Sequence, residues 1–149
     1  MTAKALPRHE IIMNFTTAPG LDDLTVLARQ ALDSLPGEIS TTIAEEIALV
    51  VEEFPDEAVE EEMELSSPYE LLALFRSARE VAPGIQKKIA NGDDTLFLYR
   101  RPILDLWCET GDDLSALVTE VVVEEVARGL EFSEEDIKEF VLRARQNAL

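Results

Sequence analysis

Apolar residues recur at helical spacing near the start of the chain, between a Pro19-Gly20 turn and a Pro36-Gly37 turn. The apolar positions follow i, i+3, i+4 and i+7, and they are Leu21, Leu24, Leu27, Ala28, Ala31, Leu32 and Leu35. Asp22 and Asp23 fall in the first turn, where acidic side chains interact favourably with the helix dipole. This pattern predicts an amphipathic helix, with a short second helix over residues 40–44.

Two other apolar stretches have the composition of strands. Residues 47–54 (IALVVEEF) are β-branched at their centre and stop at Pro55, and residues 95–99 (TLFLY) are short and aromatic. Both stretches predict strands. The polar residues 55–66 predict an acidic loop, and Asn-Gly-Asp-Asp at residues 91–94 predicts a turn.

The remaining segments predict helices. Ser67 is a candidate cap, and Pro68 a candidate first residue, for a helix over residues 68–81. Further helices are expected from Arg101-Pro102 and from Ser133. Between these two lies a helix that begins after Gly111, with Gly129 as its expected C-terminal cap. The apolar stripe of this helix is Leu114, Leu117, Val118, Val121 and Val122.

Few strands among many helices predict an α+β fold, mostly helical with a short few-stranded sheet. A chain of 149 residues fits one domain, residues 1–149, and residues 1–18 are expected to be an extended N-terminal arm. Phe75, Phe97, Trp107 and Phe140 are expected in its core. Cys108, the single cysteine, is expected to be buried as a small apolar residue.

The charge of the chain narrows the classes of partner. Its formal net charge is −18, which excludes the basic footprint of a nucleic-acid-binding surface and disfavours docking on anionic membranes. Residues 45–64 carry ten acidic residues and no lysine or arginine. Such a segment is either a solvated face of the protein or a docking surface for a basic partner. No apolar run reaches the length of a membrane span or of a signal-peptide core, so a cytoplasmic location is expected.

Residues 120–137 have the frame of a zinc-protease helix. Such a helix places two histidines at i and i+4 on one face, and a glutamate after the first acts as general base on zinc-bound water. Here Glu125 occupies the general-base position, while Glu124 and Arg128 occupy the two ligand positions. A guanidinium is always charged and offers no lone pair, so Arg128 cannot ligate a cation.

Several segments in order resemble the minimal zincin-like metallopeptidases, small bacterial proteins with a HExxHxxGxxD signature near the C-terminus. The similar segments are LARQALDSLPGEI, IALVVEEFP, LLALFRSAR, TLFLYRRPIL and DDLSALVTEVVVEEVARGLEFSEEDIKEF. Together they cover residues 21–140. The resemblance implies a small zincin-like domain.

The departures from the signature fall on the residues that carry its chemistry. In the resemblance, the first histidine corresponds to Glu124, the second to Arg128, the glycine to Glu131 and the last aspartate, a third zinc ligand, to Glu134. The family would bind zinc, whereas here no cofactor and no bound metal are expected. Glu125 is then a relict general base. We hypothesise that Arg128 substitutes for the metal by neutralising these carboxylates.

Three functions follow from these observations. The first is a catalytically inactive zincin-like protein that binds a peptide or a protein. The second is a divergent metal-dependent hydrolase that uses Glu124, Glu125 and Glu134 as its carboxylates, with a metal other than zinc. The third is an acidic interaction module whose working surface is residues 45–64, with a basic protein as partner.

Overall fold

Three short strands form one mixed sheet in the parts of the chain that the computed structural model describes, residues 18–43, 46–77 and 94–148. The strands are β1 (Ala48–Glu52), β2 (Ala73–Arg76) and β3 (Thr95–Tyr99). Their order is β1-β3-β2, with β1 parallel and β2 antiparallel to β3. All five residues of the central strand β3 are buried.

Helices make up most of the described chain. They are α1 (Leu21–Asp33), α2 (Gly37–Ser40), α3 (Glu57–Glu62), α4 (Arg100–Thr110), α5 (Leu114–Gly129) and α6 (Glu134–Ala148), with a 3-10 turn at Pro68–Glu70. This confirms the predicted α+β fold, mostly helical with a small sheet. The strands predicted at residues 47–54 and 95–99 are confirmed as β1 and β3, and α1, α4, α5 and α6 are confirmed as helices.

The sheet is covered on both faces, because alternate side chains of a strand point to opposite sides. Ala73, Phe75, Leu96 and Leu98 belong to the larger core, which the buried residues of α1, α5 and α6 complete. The opposite face carries a smaller cluster of Val59, Leu74, Phe97 and Tyr99, to which α3 contributes its valine. The larger core therefore holds α5 against β2.

The predicted helix over residues 68–81 is wrong within the described residues. Ser67 does accept a hydrogen bond from the Tyr69 N–H at 3.2 Å, but only the 3-10 turn follows before β2 begins at Ala73. The three residues Ala73, Leu74 and Phe75 are all buried because both faces of the sheet are covered. A continuous apolar run of this kind does not distinguish a buried strand from a helix.

Two local predictions on the acidic side of the chain also need correction. Residues 55–66 contain the helix α3, which Asp56 caps by accepting a hydrogen bond from the Val59 N–H at 3.0 Å. The short helix expected over residues 40–44 lies earlier, at Gly37–Ser40. In α3 a single buried residue, Val59, faces the sheet, so the sequence carries too little apolar period to reveal the helix.

The expected core aromatics are confirmed for Phe75, Phe97 and Phe140, which are at most 5% exposed. Trp107 is half-buried and donates its indole N–H to the Asp112 carbonyl at 2.8 Å. Cys108 is exposed, so the expectation of a buried cysteine is wrong. It lies on the solvent side of α4, whose buried residues are Pro102, Ile103 and Leu104.

Several predictions fall outside the described residues. Of the arm predicted over residues 1–18, only residue 18 belongs to the described residues. Of the turn predicted at residues 91–94, only residue 94 does. Among the helices of the described ranges, none is long and apolar enough to cross a membrane. The cytoplasmic location stays a prediction.

Candidate functional site

The long helix α5 carries the candidate site at its C-terminal end. Asp113 caps the helix by accepting a hydrogen bond from the Ala116 N–H at 3.0 Å. Eight residues of α5 are buried: Leu114, Leu117, Val118, Val121, Val122, Val123, Val126 and Ala127. With this face held in the core, Glu124 and Arg128 lie towards the helix surface, and Glu125 lies between the core and the surface.

The Arg128 guanidinium lies among three carboxylates. Its Nη2 donates to Glu124 Oε2 at 3.0 Å, and the same nitrogen lies 3.7 Å from Glu134 Oε1. Its Nη1 lies 3.9 Å from Glu125 Oε1. The arrangement joins α5 to the first turn of α6 and places one fixed positive charge between three negative ones.

Glu125 is held by the neighbouring strand. Its Oε2 accepts a hydrogen bond from the Phe75 backbone N–H at 3.1 Å, and its side chain is 20% exposed. Burial raises the pKa of the Glu125 carboxyl, while the Phe75 N–H and the charge of Arg128 oppose that rise. The carboxylate at the general-base position therefore serves as the hydrogen-bond acceptor for β2.

The last helical residue of α5 lies directly on β2. A Cβ added to Gly129 would lie 2.7 Å from Phe75 Cγ and 2.9 Å from Phe75 Cβ, closer than carbon atoms pack. Gly129 thus permits the approach of α5 to β2 that the bond between Glu125 and Phe75 requires. Its predicted role as the C-terminal cap is wrong, because Gly129 remains within the helix.

The left-handed position that ends α5 belongs to Glu131, whose φ is 67°. The Phe132 N–H donates to the Ala127 carbonyl at 3.0 Å, and the Glu131 N–H donates to the Arg128 carbonyl at 3.0 Å. This pair of bonds is a Schellman motif, in which glycine is the usual residue at the left-handed position. Glu131 is the position that corresponds to the signature glycine in the resemblance.

The helix α6 begins immediately after this turn. Ser133 caps it by accepting a hydrogen bond from the Asp136 N–H at 3.1 Å, as predicted. Glu134 is its first helical residue and so reaches back towards Arg128. The structure brings together all four positions singled out in the sequence, Glu124, Glu125, Arg128 and Glu134.

An open groove runs between the end of α5 and α6, with a volume of about 290 Å³. It is lined by Glu124, Arg128, Glu134, Ile137, Lys138, Val141, Leu142 and Arg145. Glu125 is not among the lining residues, because its carboxylate is turned to β2. Lys138 and Leu142 carry no motif in the sequence, and their spacing of four residues on one helix face is the available signal.

The resemblance implies zinc, and the donors at these positions do not fit it. Zinc sites in proteins use imidazole, thiolate and carboxylate ligands in sets of three or four. Here Arg128 offers no lone pair, and both Glu124 and Glu134 are ion-paired to it. Within the described ranges, no group of three histidine, cysteine, aspartate or glutamate side chains is placed to hold a metal ion.

Comparison with known proteins bears on the scaffold. A family model described as zincin-like metallopeptidase matches residues 44–143, which are 100 of the 149 residues and include β1, β2, β3 and α5. No curated protein matches the chain. The matched region carries the helix and the strand that hold the candidate site. The chain therefore belongs to the family of zincin-like metallopeptidases.

Proposed function

We propose that this chain is a zincin-like protein without peptidase activity, in which Arg128 occupies the position of the catalytic cation and the protein acts by binding. The observation that supports this most directly is the position of the Arg128 guanidinium within 4 Å of carboxylate oxygens of Glu124, Glu125 and Glu134. A zinc ion and a guanidinium both neutralise carboxylates, but only the metal can coordinate a water molecule and lower its pKa to generate the attacking hydroxide.

The state of Glu125 also supports the absence of catalysis. A general base must lie within hydrogen-bond reach of the proton that it removes. Here one oxygen of Glu125 accepts from the Phe75 N–H and the other lies towards Arg128, so the carboxylate is engaged on both sides. A water held for attack would have to displace one of these partners.

The groove between α5 and α6 supports the binding part of the proposal. It is open, it borders the positions of the former ligands, and it is lined by both apolar and charged side chains. Such a groove retains a surface for a peptide or a protein segment without the groups for hydrolysis. A cytoplasmic location and a lack of contact with nucleic acid or membrane complete the proposal, in keeping with the net charge of −18.

The experiment is a peptidase assay on the purified protein with quenched fluorescent peptide libraries, with added zinc, manganese or iron(II). We expect no cleavage above the background of the buffer. The matched comparison is Glu124→His/Arg128→His, which restores both imidazoles. Cleavage by the unaltered chain that Glu125→Gln abolishes would overturn the proposal in favour of a hydrolase that uses its carboxylates.

A further inference from the structure

The segment that contains α3 exposes apolar side chains that the fold does not cover. Met63, directly after α3, is 40% exposed, and Tyr69, in the 3-10 turn, is 42% exposed. The Tyr69 ring packs edge-on against the Phe54 ring, with centroids 5.1 Å apart, so the exposed tyrosine is held in place by a neighbour. Two large uncovered side chains so close together in the chain offer contact area to a partner protein.

The helix α3 presents carboxylates next to these apolar side chains. Val59 is the buried residue of α3, and Asp56 caps the helix through the Val59 N–H. With Val59 held on the sheet, four carboxylates are exposed or partly exposed on the helix and directly after it: Glu57, Glu60, Glu61 and Glu64. We call these four carboxylates, together with Met63 and Tyr69, the α3 surface.

The carboxylates of the α3 surface are not neutralised by the arginines that lie near this segment. Arg76 pairs with Glu62, and Arg100 pairs with Glu53 at 2.9 Å. None of the four carboxylates of the α3 surface has an ion-pair partner among the described residues. In a chain with 31 acids and 13 bases, this local excess of negative charge favours a positively charged partner.

The aromatic residues beside α3 show which kind of cation suits the surface. The Arg101 guanidinium carbon lies 5.7 Å from the centroid of the Phe54 ring, on which Tyr69 also packs. The exposed ring of Tyr69 offers the same contact to an arginine of another molecule. A protein segment with both basic and apolar residues can contact the carboxylates, Tyr69 and Met63 together, whereas a small polyamine can contact the carboxylates alone.

We propose that the α3 surface binds a basic segment of a partner protein. Lysine or arginine side chains of the segment pair with the carboxylates, an arginine stacks on Tyr69, and an apolar side chain packs on Met63. The α3 surface lies on the side of the sheet opposite to α5, so this inference goes beyond the groove of the proposed function and does not depend on it. A second copy of the chain is disfavoured as the occupant, because both copies carry a net charge of −18.

The test is an NMR titration of the ¹⁵N-labelled full chain with a synthetic peptide in which lysines and arginines alternate with leucines. We expect amide shifts concentrated at residues 57–69, and binding that weakens severalfold between low and physiological salt. The same peptide with glutamate in place of every basic residue is expected to leave the signals unchanged. Spermine should bind at least about tenfold more weakly than the basic peptide, because it lacks the apolar contacts.

Matched variants separate local charge from overall charge. Glu57→Gln/Glu61→Gln removes two carboxylates of the α3 surface, and Glu109→Gln/Glu135→Gln makes the same change in net charge at exposed positions of α4 and α6. We expect the first pair to weaken peptide binding by about threefold or more and the second pair by less than about twofold. Met63→Ser should weaken binding by about threefold but keep its salt dependence, since it removes an apolar contact and no charge. All the altered side chains are exposed, so the variants are expected to fold.

Four results would overturn the inference. Equal losses in the two double variants would mean that net charge alone attracts the peptide, and equal affinity for spermine would mean that the apolar side chains have no role. Shifts centred on the groove between α5 and α6 would place the peptide elsewhere. Shifts of Met63 and Tyr69 on concentrating the free chain would identify a second copy as the occupant.

The inference and the proposed function fail in different experiments. Peptidase activity of the unaltered chain would refute the proposed function and leave the peptide titration unchanged. Absence of shifts at residues 57–69 would refute the inference and leave the outcome of the peptidase assay unchanged.

Discussion

Glu125 and Phe75 are fifty positions apart in the chain, yet a carboxylate oxygen of Glu125 accepts a hydrogen bond from the Phe75 N–H at 3.1 Å. The bond joins α5 to β2, a strand that has β3 on one side. The residue that occupies the general-base position of the zincin frame is thus part of the contact between helix and sheet. Glu125 therefore supports the packing of α5 on the sheet, and its replacement should change the stability of the protein.

Glu125→Ala is expected to destabilise the protein by about 1–3 kcal/mol, because it leaves the Phe75 N–H without its acceptor. Glu125→Gln keeps an acceptor oxygen and is expected to be far less costly. Urea denaturation of both variants measures the difference. Faster hydrogen exchange of the Phe75 amide in Glu125→Ala alone would show that the loss of stability arises at this hydrogen bond. Equal stability of the two variants would contradict the prediction.

The pH dependence of stability should also change in Glu125→Gln. Burial raises the pKa of Glu125 above its ordinary value of 4.5, so the folded state binds the proton more tightly than the unfolded state. The stability contributed by this group is therefore complete below pH 4.5 and is lost as pH rises through the folded pKa.

Relative to the unaltered chain, Glu125→Gln should gain stability as pH rises from about 4 to 8. Denaturation midpoints over this range measure the trend. The exposed Glu135 provides the control, because Glu135→Gln is a surface change expected to stay within about 0.5 kcal/mol. A difference between Glu125→Gln and the unaltered chain that does not vary with pH would contradict the prediction.

Gly129→Ala is expected to destabilise the protein by about 1–3 kcal/mol, because the new Cβ would overlap the Phe75 side chain close to its attachment point. The change would otherwise favour the helix by about 1 kcal/mol, so the sign of the effect is informative. Thermal denaturation is the measurement. Ser115→Ala, at an exposed position of the same helix, is the control and should be neutral or slightly stabilising. A stabilising Gly129→Ala would show that the helix and β2 are not in close contact.

Glu131→Gly is expected to stabilise the protein by about 0.5–1 kcal/mol. The left-handed backbone of Glu131 costs a residue with a Cβ about 1–2 kcal/mol, and the greater freedom of glycine in the unfolded chain offsets part of the gain. Chemical denaturation measures the change. Glu131→Ala removes the exposed carboxylate but keeps the Cβ, so it should bring no comparable gain. Equal effects of the two changes would argue that side-chain charge, not backbone geometry, is responsible.

Arg128→Ala is expected to lower stability by about 1 kcal/mol at low salt, because three carboxylates then face one another without their cation. The loss should shrink as salt is added. Arg145→Ala is a matched control, since Arg145 is a helical arginine that pairs with the carboxylate of Glu120. Its salt dependence should be weaker. No loss of stability in Arg128→Ala, or the same salt dependence in both variants, would contradict the role of Arg128 as a substitute cation.

The sequence predicts the helices well where one side faces solvent, as in α1 and α6, because burial of a single face leaves a period of 3.6 residues. It does not reveal β2, whose residues are buried on both faces of the sheet and show no alternation. It also misses α3, where Val59 alone provides the contact with the sheet. These errors concern elements whose form is decided by tertiary contacts.

In the candidate site, too, some contacts are predictable from the sequence and others are not. The convergence of Glu124, Arg128 and Glu134 is predictable, since it needs only helical spacing and a tight turn between α5 and α6. The partner of Glu125 is a backbone N–H of a distant strand, and a backbone group leaves no signature in the sequence. Gly129 is visible in the sequence, but its contact with Phe75 depends on the packing of α5 against β2.

The central claim is that Arg128 occupies the place of the metal, and zinc binding tests it most directly. The purified chain is dialysed against buffered zinc, and the metal retained per chain is measured by mass spectrometry. We predict no stoichiometric zinc for the unaltered chain, and zinc bound in equal amount to the chain for Glu124→His/Arg128→His, which restores two imidazoles beside Glu134. Stoichiometric zinc in the unaltered chain, lost on Glu134→Ala, would contradict the claim.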